Sequence, residues 1–190
     1  SKSTLLYPHE FTGDSRSVFL LGEANFKVKP DKKRPFIVKS NDLQITALGT
    51  EFNVSAYPES QEIATTLISG SIRVAYNNLT TSVILHPNEQ FAYNRNNKKY
   101  DLSNPDMDDV TAWQRGELVL QKMTLTDIIN VLERKYPYAF VYSIKNLKND
   151  RFSFRFKDNA PLEEVMEIIV NVVGQMDYRI VEDKCYLTRI

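Results

Sequence analysis

Over residues 1–101 short apolar stretches alternate with polar ones and are broken by turn residues, the period-two pattern of half-buried strands. Strands are expected at 17–21, 24–29, 35–39, 43–48, 51–56, 62–68, 71–76, 82–85 and 90–93. Turn chemistry separates them at Lys29-Pro30-Asp31-Lys32, Tyr57-Pro58-Glu59-Ser60, Tyr76-Asn77-Asn78, His86-Pro87-Asn88 and Asn94-Arg95-Asn96-Asn97. A degenerate unit recurs as Leu21-Gly22 with Phe26 and Val28, Leu48-Gly49 with Phe52 and Val54, and Ser69-Gly70 with Ile72 and Val74. Each glycine permits a tight turn or bulge before an apolar-x-Val strand. Such a unit cannot bury its own face, so neighbours must stack. A solenoid-like or double-layered β domain is therefore expected over 1–101, in preference to a plain sandwich.

Residues 102–112 are acidic and polar and include Pro105, which reads as a linker. Over 113–190 the period changes to strand–helix–strand, twice. Strands are expected at 117–121, 138–142, 152–156, 177–181 and 184–188, and helices at 124–136 and 161–173. The first helix opens on a capping box, Thr124 to Asp127, and carries Leu125, Ile128, Ile129, Leu132 and Tyr136 on one face. Pro137 stops it. The second opens at Asn159-Ala160-Pro161, carries Leu162, Val165, Met166, Ile169 and Val173, and ends at Gly174. A shift of 37 residues lays one apolar set on the other, so 113–190 is expected to be a duplicated βαβ domain, making the whole β plus α/β.

Composition narrows the function classes. The 190 residues carry 24 Lys+Arg against 24 Asp+Glu, which disfavours a basic nucleic-acid binder and a polybasic membrane-surface protein. No apolar run approaches the roughly 20 residues of a membrane span, and residues 1–10 have no apolar signal-peptide region. One cysteine, Cys185, excludes an internal disulfide and a Cys-based zinc site.

Candidate chemistry is sparse, and no catalytic residue, cofactor or metal is expected. His86, with Pro87 beside it and Glu89 three residues on, fits a capped turn, and His9 fits an exposed start. Asp106, Asp108 and Asp109 lack calcium-loop spacing. Cys185 in an apolar strand fits a buried, inert thiol. Glu23 and Glu51 are the carboxylates that could serve a small glycan-binding or glycan-active β domain, which needs a pair roughly 5–10 Å apart in a cleft. In 151–157, Phe152, Phe154 and Phe156 alternate with Arg151, Ser153 and Arg155, followed by Lys157. The Phe row suits burial under the helices. The other row suits either water or an edge strand that receives a partner strand.

Six runs together resemble FecR-type anti-sigma factors, in the order that family shows. They are Arg16-Ser-Val18-Phe-Leu20-Leu-Gly22-Glu23-Ala24-Asn-Phe26-Lys-Val28, Arg34-Pro35-Phe36-Ile-Val38, Leu48-Gly49-Thr50-Glu-Phe52-Asn53-Val54-Ser-Ala56-Tyr57, Thr66-Leu67-Ile-Ser-Gly70-Ser-Ile-Arg-Val74, Leu85-His-Pro87-Asn88-Glu89-Gln90-Phe-Ala92-Tyr93 and Trp113-Gln-Arg-Gly116-Glu-Leu118. Asn88 stands where the family motif has Gly.

The resemblance implies a protein anchored once in the inner membrane, with a cytoplasmic segment that holds an extracytoplasmic-function sigma factor. Its periplasmic part receives a signal from the N-terminal signalling domain of a TonB-dependent outer-membrane transporter. It also implies that 113–190 is similar to the secretin-and-TonB N-terminal (STN) fold, in a form most like those of Bacteroidetes. The family's cytoplasmic segment, membrane helix and first periplasmic strand pair have no counterpart, so a fragment is expected, starting near Ser1-Lys2-Ser3. On this view the chain is periplasmic and works by being bound, with Arg151, Phe152, Ser153, Phe154, Arg155 and Lys157 as the docking strand.

Overall fold

A computed structural model describes residues 3–142 and 150–189; Ser1 and Lys2, where the fragment was expected to start, lie outside the described residues. The chain divides into two compact units, up to Val110 and from Thr111 onward.

The first unit is built from β1 (Thr4–Leu6), β2 (Arg16–Lys27), β3 (Phe36–Lys39), β4 (Gln44–Ala47), β5 (Glu51–Ala56), β6 (Glu62–Ser69), β7 (Ile72–Tyr76), β8 (Thr81–Leu85), β9 (Gln90–Asn94) and β10 (Tyr100–Ser103). They follow one path, β10-β9-β6-β5-β2-β3-β4-β7-β8, with β1 on β2. The first part of β2 pairs with β3 and its last six residues with β5, so β2 joins two ladders. Even-numbered residues of β2 face inward on both sides of this join: Val18, Leu20, Ala24 and Phe26 all pack in one core with Val38, Ile45 and Val74 from one ladder and Phe52, Ile63 and Phe91 from the other. Tyr76 of β7 meets the rings of Phe91 and Tyr93 of β9 at 5.3 and 5.9 Å, closing the core across the ladders.

The arrangement is double-layered. It is not a stack of parallel coils, since within this unit β2–β3 is a parallel pair and the other pairings are antiparallel. The recurring glycines mark three of the places where the chain changes layer: within β2, between β4 and β5, and between β6 and β7. Gly22 (φ +105°) lies against Ser3, and Gly70 (φ +90°) would drive an added Cβ to 2.6 Å from the Thr50 methyl. The expected break between 17–21 and 24–29 is thus a kink inside one continuous strand. Asn88, in the crossing from β8 to β9, takes φ 69° in place of the motif's glycine, as asparagine tolerates better than most residues.

One polar tie holds this unit's turns. Arg95 donates from Nε to Asp42 Oδ2 at 2.9 Å and from a terminal nitrogen to the Tyr57 and Pro58 carbonyls at 2.7 and 3.0 Å. Its side chain is 16% exposed, so these bonds work in a shielded site.

Residues 102–112, expected as linker, include the end of β10 and a short helix α1 (Met107–Val110). Asp106 starts that helix by accepting the Asp108 amide at 2.9 Å.

The second unit opens on a 3-10 turn, Ala112–Arg115. It continues as β11 (Glu117–Thr124), α2 (Leu125–Lys135), β12 (Ala139–Tyr142), β13 (Arg151–Lys157), α3 (Leu162–Val173), β14 (Met176–Val181) and β15 (Lys184–Arg189). Thr124 caps the first helix as expected: its Oγ1 accepts the Asp127 amide at 3.2 Å, and its hydroxyl, rather than its backbone amide, meets the Asp127 carboxylate at 2.6 Å. Leu125, Ile128, Ile129 and Leu132 of α2, and Leu162, Val165, Met166 and Ile169 of α3, are buried in one cluster.

The strand–helix–strand order recurs, but the repeats do not close on themselves. β11 pairs antiparallel with β13, while β12 pairs parallel with β15, which pairs antiparallel with β14. The strands flanking each helix therefore lie in different ladders. A single two-stranded unit has too little apolar surface to bury its helix, and sharing both ladders between both helices supplies it.

Alanine at Gly70 combines a left-handed backbone with a contact that must shift. Gly70→Ala should destabilise the protein by about 2–4 kcal/mol in urea melts, whereas Gly13→Ala, where an added Cβ meets nothing within 4 Å, should be near neutral.

Candidate functional site

The β11–β13 ribbon carries the expected docking strand. Phe152, Phe154 and Phe156 turn inward with Leu118, Leu120 and Met123, and the stacked Phe154 and Phe156 rings lie 5.7 Å apart. Arg151, Ser153, Arg155 and Lys157 are exposed on the other face. The alternation thus divides between packing and surface. All six expected site residues sit on one strand, but the Phe residues belong to the core.

The surface row is ordered by its neighbour strand. Glu117 Oε2 accepts from Arg155 at 2.7 Å and from Arg115 at 3.3 Å. Between Leu120 and Met123 the register shifts, and Lys122 adopts φ 49° in a bulge. The bulge turns the Lys122 amide and carbonyl out of the ladder. Ser153 Oγ accepts that amide at 3.0 Å, and Arg151 donates to that carbonyl at 2.7 Å. Ser153 is therefore a bulge cap as well as a surface residue. The sequence pointed to neither Glu117 nor Lys122, because their role depends on cross-strand register; Glu117 facing Lys157 across the ladder becomes visible only once that register is known. The far edge of β13 has no strand partner among the described residues.

The remaining candidates have local roles. Glu89 accepts the His86 amide at 2.8 Å, the capped turn expected there. The Lys32-Lys33-Arg34 turn is organised by Asp31, whose carboxylate accepts the Lys33 and Arg34 amides at 3.0 and 3.1 Å. The Arg34 side-chain hydrogen bond holds the Asp31 carboxyl below its usual range. Glu23 accepts from Asn53 at 2.9 Å, and Glu51 faces Lys27. Glu23 lies on β2 four positions from Lys27, the residue that Glu51 faces, about 13 Å along the strand, so the two carboxylates do not form a close pair. A cleft of about 440 Å³ opens among the turns around Asn41, Asn77 and Lys98, with Tyr93 in its wall, and neither carboxylate lines it. Among the described residues no group of three or more His, Cys, Asp or Glu could hold a metal, and no helix is long and apolar enough to cross a membrane.

Comparison with known proteins bears on both units. The family model described as FecR protein matches residues 1–73, and that described as FecR, C-terminal matches residues 117–187. The chain is similar to a candidate anti-sigma factor from Parabacteroides distasonis ATCC 8503, solved at 1.65 Å, with a TM-score of 0.89 and 32% identity over 99% of this chain and 87% of that one. A second crystal structure under the same description, at 2.50 Å, gives the same score and identity over 99% and 86%. No curated protein matches the chain.

One substitution and one reagent check these local assignments. Ser153→Ala removes the acceptor for the Lys122 amide and should cost about 0.5–1 kcal/mol in a urea melt. Cys185 is fully buried, and burial pushes its thiol up to about 11. The thiol should ignore a disulfide reagent at pH 8 in the native protein and release one equivalent only after unfolding.

Proposed function

The chain belongs to the FecR family of anti-sigma factors, signalling regulators, and from that membership we propose a function that consists of being bound. It is the periplasmic signalling part of a membrane-anchored regulator. A TonB-dependent outer-membrane transporter delivers the signal through its N-terminal signalling domain. The regulator relays it to an extracytoplasmic-function sigma factor held by a cytoplasmic segment. The unit from Thr111 onward serves as an STN-like receiving module.

The observation that carries this reading is the open edge of β13. A strand edge offers unpaired amides and carbonyls to an extended segment. The seven residues of β13 contain no proline, and the register irregularity of the ribbon falls in its partner β11. The Phe row anchors the strand in the core, so the edge is presented on a rigid support.

The test is amide hydrogen exchange on the full chain, with and without the transporter's signalling domain. Protection should rise over residues 151–157 and leave β5 and β6 unchanged. Binding that protects only residues 3–110 would overturn the assignment.

A further inference from the structure

We propose that the segment β13 accepts is acidic: an extended stretch of another polypeptide with carboxylates at alternate positions and apolar residues between them. This rests on the reading of β13 as the receiving edge and names the chemistry of what it receives. Residues 115–124 and 151–157 carry five cationic side chains, Arg115, Lys122, Arg151, Arg155 and Lys157, against one carboxylate, Glu117, in a chain whose charges balance to zero over its whole length. The excess falls on one face of the ribbon, because Arg151, Arg155 and Lys157 share the parity that points away from the Phe row.

Two features of this face suit a strand rather than a diffuse anion. Arg151 and Arg155 are each tethered, one to the Lys122 carbonyl and the other to Glu117, so less side-chain freedom is lost when a partner arrives. Their four-residue spacing, about 13 Å, equals the spacing of positions i and i+4 on an added strand. Carboxylates there reach the arginines, while the intervening residues turn to the side of the ladder where the Phe row packs. Arg–carboxylate pairing is also the more directional choice, since the planar guanidinium can bind both oxygens.

The probe is an eight-residue fluorescent peptide alternating Glu and Val, titrated against the full chain beside a Gln–Val control. The Glu–Val peptide should bind in 50 mM NaCl, lose about tenfold in affinity by 500 mM, and lose at least tenfold in the Arg151→Glu, Arg155→Glu double variant, whose circular dichroism should show the parent fold at the assay temperature although its melt falls with the lost Lys122 and Glu117 contacts. Equal binding of the Gln–Val peptide, or binding indifferent to salt and to the double variant, overturns the proposal. So does variant-sensitive binding to anionic lipid vesicles in place of the peptide, or a salt-sensitive dimer of the chain itself. The underlying reading is checked separately by hydrogen exchange with the transporter domain. Protection of β13 that survives the double variant leaves that reading intact and sinks the acidic partner. Peptide binding without any protection by the transporter domain does the reverse.

Discussion

The first unit depends on one constraint: a single chain must pass repeatedly between two layers while keeping the same face of each strand on one core. In β2 this happens without a loop. Val18, Leu20, Ala24 and Phe26 keep their inward parity through the kink at Gly22, so the strand changes ladder without losing its place in the core. A side chain at the kink would strike Ser3, whose hydroxyl accepts the Glu23 amide at 2.9 Å. Close approach of backbones and a left-handed φ are what a missing Cβ permits, and the same need recurs at Gly70 beside Thr50. The core that results is held by shape at its corners as much as by apolar area.

That constraint explains what was legible in the sequence and what was not. The glycine-led repeat is real, but it records corners of a double layer and not turns of a coil. The residues carry the corner chemistry, while the direction in which the next strand pairs is a tertiary matter. The strand positions followed from alternation, and the helices followed even more closely from their caps and faces, with α2 and α3 within about one residue of expectation. β1 and β10 were missed because neither buries a residue. An edge strand with no buried position shows no alternation to read. In the second unit the repeated strand–helix–strand order was visible, but the exchange of strands between ladders was not, because periodicity says which face is buried and nothing about which neighbour buries it.

The candidate site was legible in part for the same reason. Alternating Phe and Arg located a ribbon strand with two unlike faces. The bulge at Lys122 and the shared carboxylate of Glu117, which order the polar face, are properties of register.

An open edge is a hazard as well as an opportunity, since any extended chain can pair with it. A row of arginine and lysine settles the conflict by sign. Two copies of β13 brought edge to edge would face like charge against like charge, which disfavours self-pairing. A strand carrying carboxylates meets attraction in the same place. Glu117 fits this scheme: by sitting between Arg115 and Arg155 it fixes the guanidinium of Arg155 in the ladder and leaves the face cationic as a whole. The alternation that buries the Phe row is thus also what gathers Arg151, Arg155 and Lys157 on the opposite face, so one period-two pattern sets both the packing of the strand and the sign of its surface.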